Sequence, residues 1–282
     1  MQSWIVYTMI YGICNGIFQC AKKKSLEKNS IYEVLAIFSL ISFLLSVPTS
    51  ENILNVEINN IIMIFFKSLV IVIAWLLGLY AISRMPISLY SVVNLSKIIF
   101  SIMMSTIILG EKLTLSIILG ASIIILGLIL VNKVSNTNEY KETDFKIILI
   151  LLISCFFNSI SAIIDKEVLK YITATQLQFW FLFFLTCNYW LIIIFKKRKI
   201  NFKVVKKNYW IIITAIALIL GDRFLFIANE NPESKVSIMT LIKQISVIEG
   251  IILGKIFFKE KNIVKKLSCS ILIIFGIMIT LL

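Results

Sequence analysis

Lys97 and Lys243 stand where lysine is least expected. Each lies in a long apolar run, eleven residues after a proline, Pro86 or Pro232. At about 1.5 Å per residue this is roughly 16 Å into a helix, near the midplane of a bilayer. An ammonium there costs at least about 2.5–3.5 kcal/mol on insertion scales, and from that depth it does not easily reach the headgroups. Two chemistries would retain it. Either the two ammonium groups grip an anionic ligand, or each neutralises a buried acid such as Glu249 or Asp222.

Other polar side chains in apolar runs extend the candidate set. Arg223 follows Asp222, and its planar fork suits a carboxylate or phosphate, or else closes a buried structural pair. Glu249 and Asp222 read as the acids that lie well inside spans, and a buried carboxyl is able to hold a proton. Asn94 and Thr240 each precede a lysine by three residues and share its helix face. Asn15 and Asn158 occupy matched places in two other runs. Each of these four can bond a substrate or a neighbouring helix. Lys67 is shallower and reads as a snorkelling lysine outside the site.

The elements that must carry these residues follow from composition. Apolar residues make up 59% of 282 and charged residues 15%, with a mean hydropathy of +0.97. A soluble domain is about 45–50% apolar. Such a chain needs lipid as its solvent, where helices or closed barrels alone satisfy the backbone. Solid runs such as Ile117–Val131, rather than period-two alternation, favour helices. Spans of about 20 apolar residues are expected at 3–20, 31–47, 59–82, 87–108, 115–131, 146–164, 174–195, 208–228, 235–257 and 263–281. The polar stretch 132–145 reads as a linker.

The net charge of +13 resides mainly in short loops, which argues for topology signals and lipid headgroups rather than nucleic acid. Cys14, Cys20, Cys155, Cys187 and Cys269 form no C-x-x-C pair, and the chain has no His, so no metal site, cofactor or catalytic set is expected.

The chain also repeats. Aligning Pro86 with Pro232 matches Ser88 with Ser234, Ser91 with Ser237, Val92 with Ile238, Asn94 with Thr240, Leu95 with Leu241 and Lys97 with Lys243, without a gap. Asn15-Gly16-Ile17 faces Asn158-Ser159-Ile160 in the same register. Residues 1–131 and 146–282 therefore read as two copies of a five-helix unit. An odd helix count makes the repeat inverted, and inverted-repeat carriers bind their substrate at the midplane. The spacings Gly12/Gly16 and Gly250/Gly254 predict close helix contacts. Basic residues concentrate in alternate loops, from Lys22–Lys24 to Lys265 and Lys266, while the opposite loops hold Lys112, Lys166, Lys170 and Lys235. The positive-inside rule puts the richer set in the cytoplasm and both termini outside.

Leu109-Gly110-Glu111-Lys112-Leu113-Thr114, followed by Gly120 and Gly127, resembles the drug/metabolite transporter superfamily, specifically its EamA-like ten-helix members. The second copy departs from the motif: Phe258-Lys259-Glu260-Lys261-Asn262 lacks the glycine, and Gly276 remains in the last helix. The resemblance implies ten helices, transport, and both termini in the cytoplasm, the reverse of the loop count. Sugar-phosphate translocators, a related branch, are similar in holding phosphate with basic residues on equivalent helices, positions that Lys97 and Lys243 fit.

These readings converge on a secondary transporter in the cell (inner) membrane that moves a small organic metabolite by alternating access. The basic cavity selects an anionic or zwitterionic substrate: an organophosphate, carboxylate, amino acid or vitamin-like compound. A neutral or aromatic substrate, with the lysines paired internally, is the alternative within this class. A membrane enzyme or accessory subunit acting on lipid-linked phosphate is the alternative outside it. The expected partners are the substrate, membrane lipids and either a proton or a counter-substrate, and the protein is a monomer or homodimer.

Overall fold

The apolar runs fold as helices whose ends follow local chemistry. The computed structural model describes residues 2–50, 52–82, 84, 93–94, 96–135, 145–197, 200–201, 207–258 and 263–282. Among them the regular structure is helical: α1 (Ser3–Leu26), α2 (Ile31–Ser46), α3 (Ile58–Ile82), α4 (Ser96–Ile108), α5 (Leu115–Ser135), α6 (Phe145–Val168), α7 (Ala174–Phe195), α8 (Trp210–Glu230), α9 (Val236–Ile242), α10 (Ile245–Phe258) and α11 (Ile263–Thr280). Ser30 and Glu33 form a capping box that starts α2, and Thr173 with Gln176 does the same for α7. Reciprocal bonds of this kind satisfy amide groups that the first helical turn leaves without carbonyl partners.

Eight helical stretches are long and apolar enough to cross a membrane, with Val236–Phe257 taken as one, and Ser96–Ile108 and Leu115–Val131 are shorter apolar helices. The chain is an all-α, multi-pass membrane protein. Residues 136–144 of the expected linker, the second acidic turn at Lys259–Asn262, and the repeat positions Pro86, Ser88, Ser91, Val92 and Leu95 lie outside the described residues.

Packing divides the chain into two compact units, and the division differs from that of the sequence repeat. One unit comprises Met1–Val72 with Ile164–Pro232, and the other Ile73–Ile163 with Glu233–Leu282. Each draws on both halves of the sequence.

In the first unit α1 packs along α8, and α2 along α7 and α8. At Gly221 of α8 an added Cβ would sit 3.2 Å from Cys14 Cβ, so glycine allows α1 to come close. Polar bonds hold the helices together: Ser42 Oγ donates to the Ala215 carbonyl (3.2 Å), Gln178 Nε2 to the Ile219 carbonyl (2.7 Å), and Asn208 Nδ2 to the Ser25 carbonyl (3.0 Å).

In the second unit the main packing pair is α5 with α11. A Cβ on Gly120 would fall 2.7 Å from the Gly276 carbonyl oxygen, and one on Gly276 would fall 2.9 Å from that of Gly120. Two glycines thus let the backbones touch, as in other small-residue membrane contacts. Gly127 meets Ile273 in the same way. The close approach expected from Gly250/Gly254 is absent at Gly250, where a Cβ would meet nothing within 4 Å among the described residues.

Candidate functional site

The second unit gathers Asn94, Lys97, Asn158, Thr240, Lys243 and Glu249. Helix α4 carries Lys97, and α6 lies beside it. Two α6 side chains one turn apart face α4. Cys155 Sγ lies 3.4 Å from Asn94 Oδ1, and Ser159 Oγ lies 3.3 Å from the Lys97 carbonyl oxygen. Ser101 Oγ donates to Ser159 Oγ at 3.3 Å. These contacts fix the backbone that bears Lys97. Its side chain is half-buried, and among the described residues no carboxylate makes an ion pair with it.

Lys243 sits at an interruption. Helix α9 ends at Ile242, the chain turns through Lys243 and Gln244, and α10 resumes at Ile245. The turn is tight: Gln244 N bonds the Leu241 carbonyl (3.1 Å) and Val247 N the Gln244 carbonyl (2.9 Å), both three residues back. Gln244 Nε2 folds back onto the Thr240 carbonyl at 2.9 Å. Interrupted helices place backbone polar groups at membrane depth, and transporters use such places to bind substrates and ions. Helix α9 packs on α4, so both matched lysines stand on contacting elements.

Glu111 positions the start of α9. The turn after α4 passes through Gly110 at φ 66°, a conformation glycine adopts without steric cost. The turn presents the Glu111 carboxylate to the α9 N-terminus, where it accepts from Val236 N (2.5 Å), Ser237 N (3.0 Å) and Ser237 Oγ (2.5 Å). An acidic group there satisfies open amides and complements the helix dipole. The Gly-Glu turn quoted from the sequence thus has a physical task, aiming the helix that ends at Lys243.

Asn158 bonds its own helix, donating to the Ser154 carbonyl at 2.8 Å. Thr240 is buried, and Glu249 is half-buried with one carboxylate oxygen, Oε2, lacking a hydrogen-bond partner among the described residues. Among the described residues the ion pairs are Lys24–Glu27, Lys67–Asp165 and Lys170–Glu167, and Glu249 is in none of them.

Asn15, Asp222 and Arg223 belong to the first unit. Arg223 is held by neutral groups, donating from Nε to Gln178 Oε1 (2.6 Å) and from a terminal nitrogen to Thr49 Oγ1 (2.9 Å). Asn15 accepts from Gln19 Nε2 at 3.3 Å along its own helix.

Two expectations need correction. Lys67 does not snorkel. It is 2% exposed, pairs with Asp165 at 2.9 Å, and rests 3.4 Å from the Phe181 ring centroid and 4.8 Å from that of Phe226. Asp165 is a further helical acid, because α6 runs to Val168 and buries it at 5% exposure. Lys166, read as a loop lysine, is also helical and buried, and its ammonium caps α8 through the carbonyls of Asn229 (2.9 Å) and Asn231 (2.7 Å). The charged triplet Asp165-Lys166-Glu167 resembles a helix exit in sequence. The available signal was the i, i+4 spacing of Asp165 from Ser161, which continues a helix face.

Residues 2–133 match the model of the EamA-like transporter family. A crystal structure of a protein 11% identical to this one superposes with a TM-score of 0.77, covering 99% of this chain and 96% of the other. At that identity the likeness concerns the fold alone. No curated protein matches the sequence. Transport of small molecules across a membrane is the activity the family implies, and a transporter family fits a non-enzymatic role.

Proposed function

We propose that the chain carries a small anionic or zwitterionic organic metabolite across the cell membrane by alternating access, with Lys97 and Lys243 as its principal contacts. The observation that carries this reading is Lys97, an ammonium at the second residue of the apolar helix α4 with no carboxylate in ion-pair contact among the described residues. A charge without a counter-charge is costly in an apolar setting, and a substrate anion would supply the one that no described residue does. The interruption at Lys243 adds polar backbone on the contacting helix. Asn94, Thr240 and Asn158 offer hydrogen bonds nearby on the same elements. Glu249, in the same unit, serves as a proton or counter-charge site.

The test is a stability screen of the detergent-purified protein against inorganic phosphate, glycerol phosphate, citrate and glutamate, followed by uptake into liposomes. Anions should raise the melting temperature of the wild type and not that of Lys97→Ala or Lys243→Ala. Normal uptake by both variants would end the assignment. Stabilisation by neutral aromatic compounds alone would favour a neutral substrate. The Phe43, Phe179, Trp180, Phe183 and Phe184 ring cluster makes that the second reading.

A further inference from the structure

The first unit holds a charged cluster that the substrate site does not use. Lys67 of α3 and Asp165 of α6 meet at 2.9 Å in the buried interior of the unit. Helix α8 adds Phe226 and α7 adds Phe181, whose ring faces flank the ammonium. Tyr11 of α1 lies within electrostatic reach of both Asp165 and Asp222 of α8. The remaining charges near this end of α6 are engaged elsewhere. Lys166 bonds the α8 carbonyls, Glu167 pairs with Lys170, and Glu230 accepts from Ala174 N.

A buried ion pair is weak evidence for stability, because apolar residues of similar volume do as well. Ionisable residues in spans are functional by default. The unusual feature is the pair of ring faces. They give Lys67 a second stabilising partner that does not depend on the Asp165 charge. If Asp165 gains a proton, Lys67 keeps its charge against Phe181 and Phe226. The pair is therefore separable, whereas an ammonium with a carboxylate as its sole partner is not.

We propose that Asp165 is a proton-binding site of the transporter, with the Lys67–Asp165 ion pair as its deprotonated state. One proton from the aqueous side forms one O–H bond on the carboxylate, the ammonium stays charged on the rings, and release of that proton restores the pair. No electrons move. The inference rests on the transporter reading for its purpose, but not for its chemistry.

The experiment uses the full chain reconstituted in lipid vesicles. Infrared difference spectra between high and low pH should show a buried carboxylic acid band in the wild type that is missing in Asp165→Asn. Superimposable spectra would overturn the proposal and leave the pair a fixed brace. If Asp165→Asn fails to fold, the charge-neutral Lys67→Met/Asp165→Leu chain replaces it, with the same missing band expected. In vesicles that take up one of the four anions, Asp165→Asn should retain exchange and lose accumulation driven by a pH gradient. Undiminished accumulation would overturn the coupling. If none of the four anions stabilises or enters the wild type, the substrate reading fails, and the infrared band still decides the proton site.

Discussion

In one unit Lys67 is closed in by a carboxylate and two aromatic faces at 2% exposure, while in the other Lys97 is half-buried beside serine, cysteine and asparagine groups with no acid in contact among the described residues. The two side chains are identical and both lie in apolar helices. What differs is the counter-charge. At Lys67 the protein supplies it, so the site is complete in itself. At Lys97 no described residue does, and in the proposed site the substrate anion brings it. Residue type and depth, the quantities a sequence offers, cannot separate these cases. The partner on another helix does.

The largest effect that would sharpen this contrast comes from opening the closed lysine. Lys67→Ala leaves the buried Asp165 carboxylate without its partner, which costs about 3–5 kcal/mol, whereas Asp165→Ala leaves the ammonium on its two ring faces and costs less. Thermal unfolding in detergent should show a large drop for Lys67→Ala, a smaller one for Asp165→Ala, and recovery of most of the former in Lys67→Met/Asp165→Leu. Equal losses in the single and double variants would mean that packing, rather than charge, holds this site together.

The next effect concerns the scaffold of the second unit. Gly120→Ala would place a methyl 2.1 Å from Thr280 Cγ2 and 2.7 Å from the Gly276 carbonyl oxygen. The threonine can turn, but the backbone cannot easily retreat, and overpacking of this kind costs about 1–3 kcal/mol. Gly250→Ala is the control. Space is open there, and alanine in a helix gains up to about 1 kcal/mol over glycine. If both substitutions lower the melting temperature equally, the α5–α11 contact is not the reason for the glycines.

The same elements mark how far the sequence was readable. Helix positions were legible because lipid forces long apolar runs, and the starts and ends of α2, α7 and α11 fall within a residue or so of expectation. The match of residues 2–133 to the EamA-like family model was foreshadowed by the Gly-Glu turn and the glycines after it. The far end of α6 was not, because Asp165 and Lys166 resemble an exit to water until Lys67 and the α8 carbonyls are seen to receive them. The interruption at Lys243 was equally hidden. Ile-Lys-Gln-Ile carries neither proline nor glycine, so nothing local announces that the helix stops. The grouping into units could not be read either, since each unit joins segments from both halves of the chain.

Glu111 offers a smaller effect that separates positioning from binding. Glu111→Ala removes three bonds from the α9 start and should cost about 1–2 kcal/mol, the upper part of the range for lost helix caps. Glu111→Gln should recover part of this. Both variants should weaken anion-induced stabilisation, because α9 ends at Lys243. Neither should change the infrared signal assigned to Asp165 in the other unit. An unaltered anion response in Glu111→Ala would show that the cap steadies the helix without aiming its lysine.

The smallest stability effect belongs to the open lysine, and its sign matters more than its size. Removing Lys97 takes away a charge that the described protein does not pair, so the folded state loses no ion pair. Lys97→Met keeps the length of the side chain and removes the cost of placing an ammonium in lipid, which insertion scales put at about 2.5–3.5 kcal/mol. Part of that cost is already relieved by the half-exposed setting, so the expected change is between zero and a gain of about 1 kcal/mol. The melting temperature should hold or rise slightly, while the shift produced by anions disappears. A drop comparable to that of Lys67→Ala would show that Lys97 has a partner of its own, and the difference between the closed and the open lysine would then vanish.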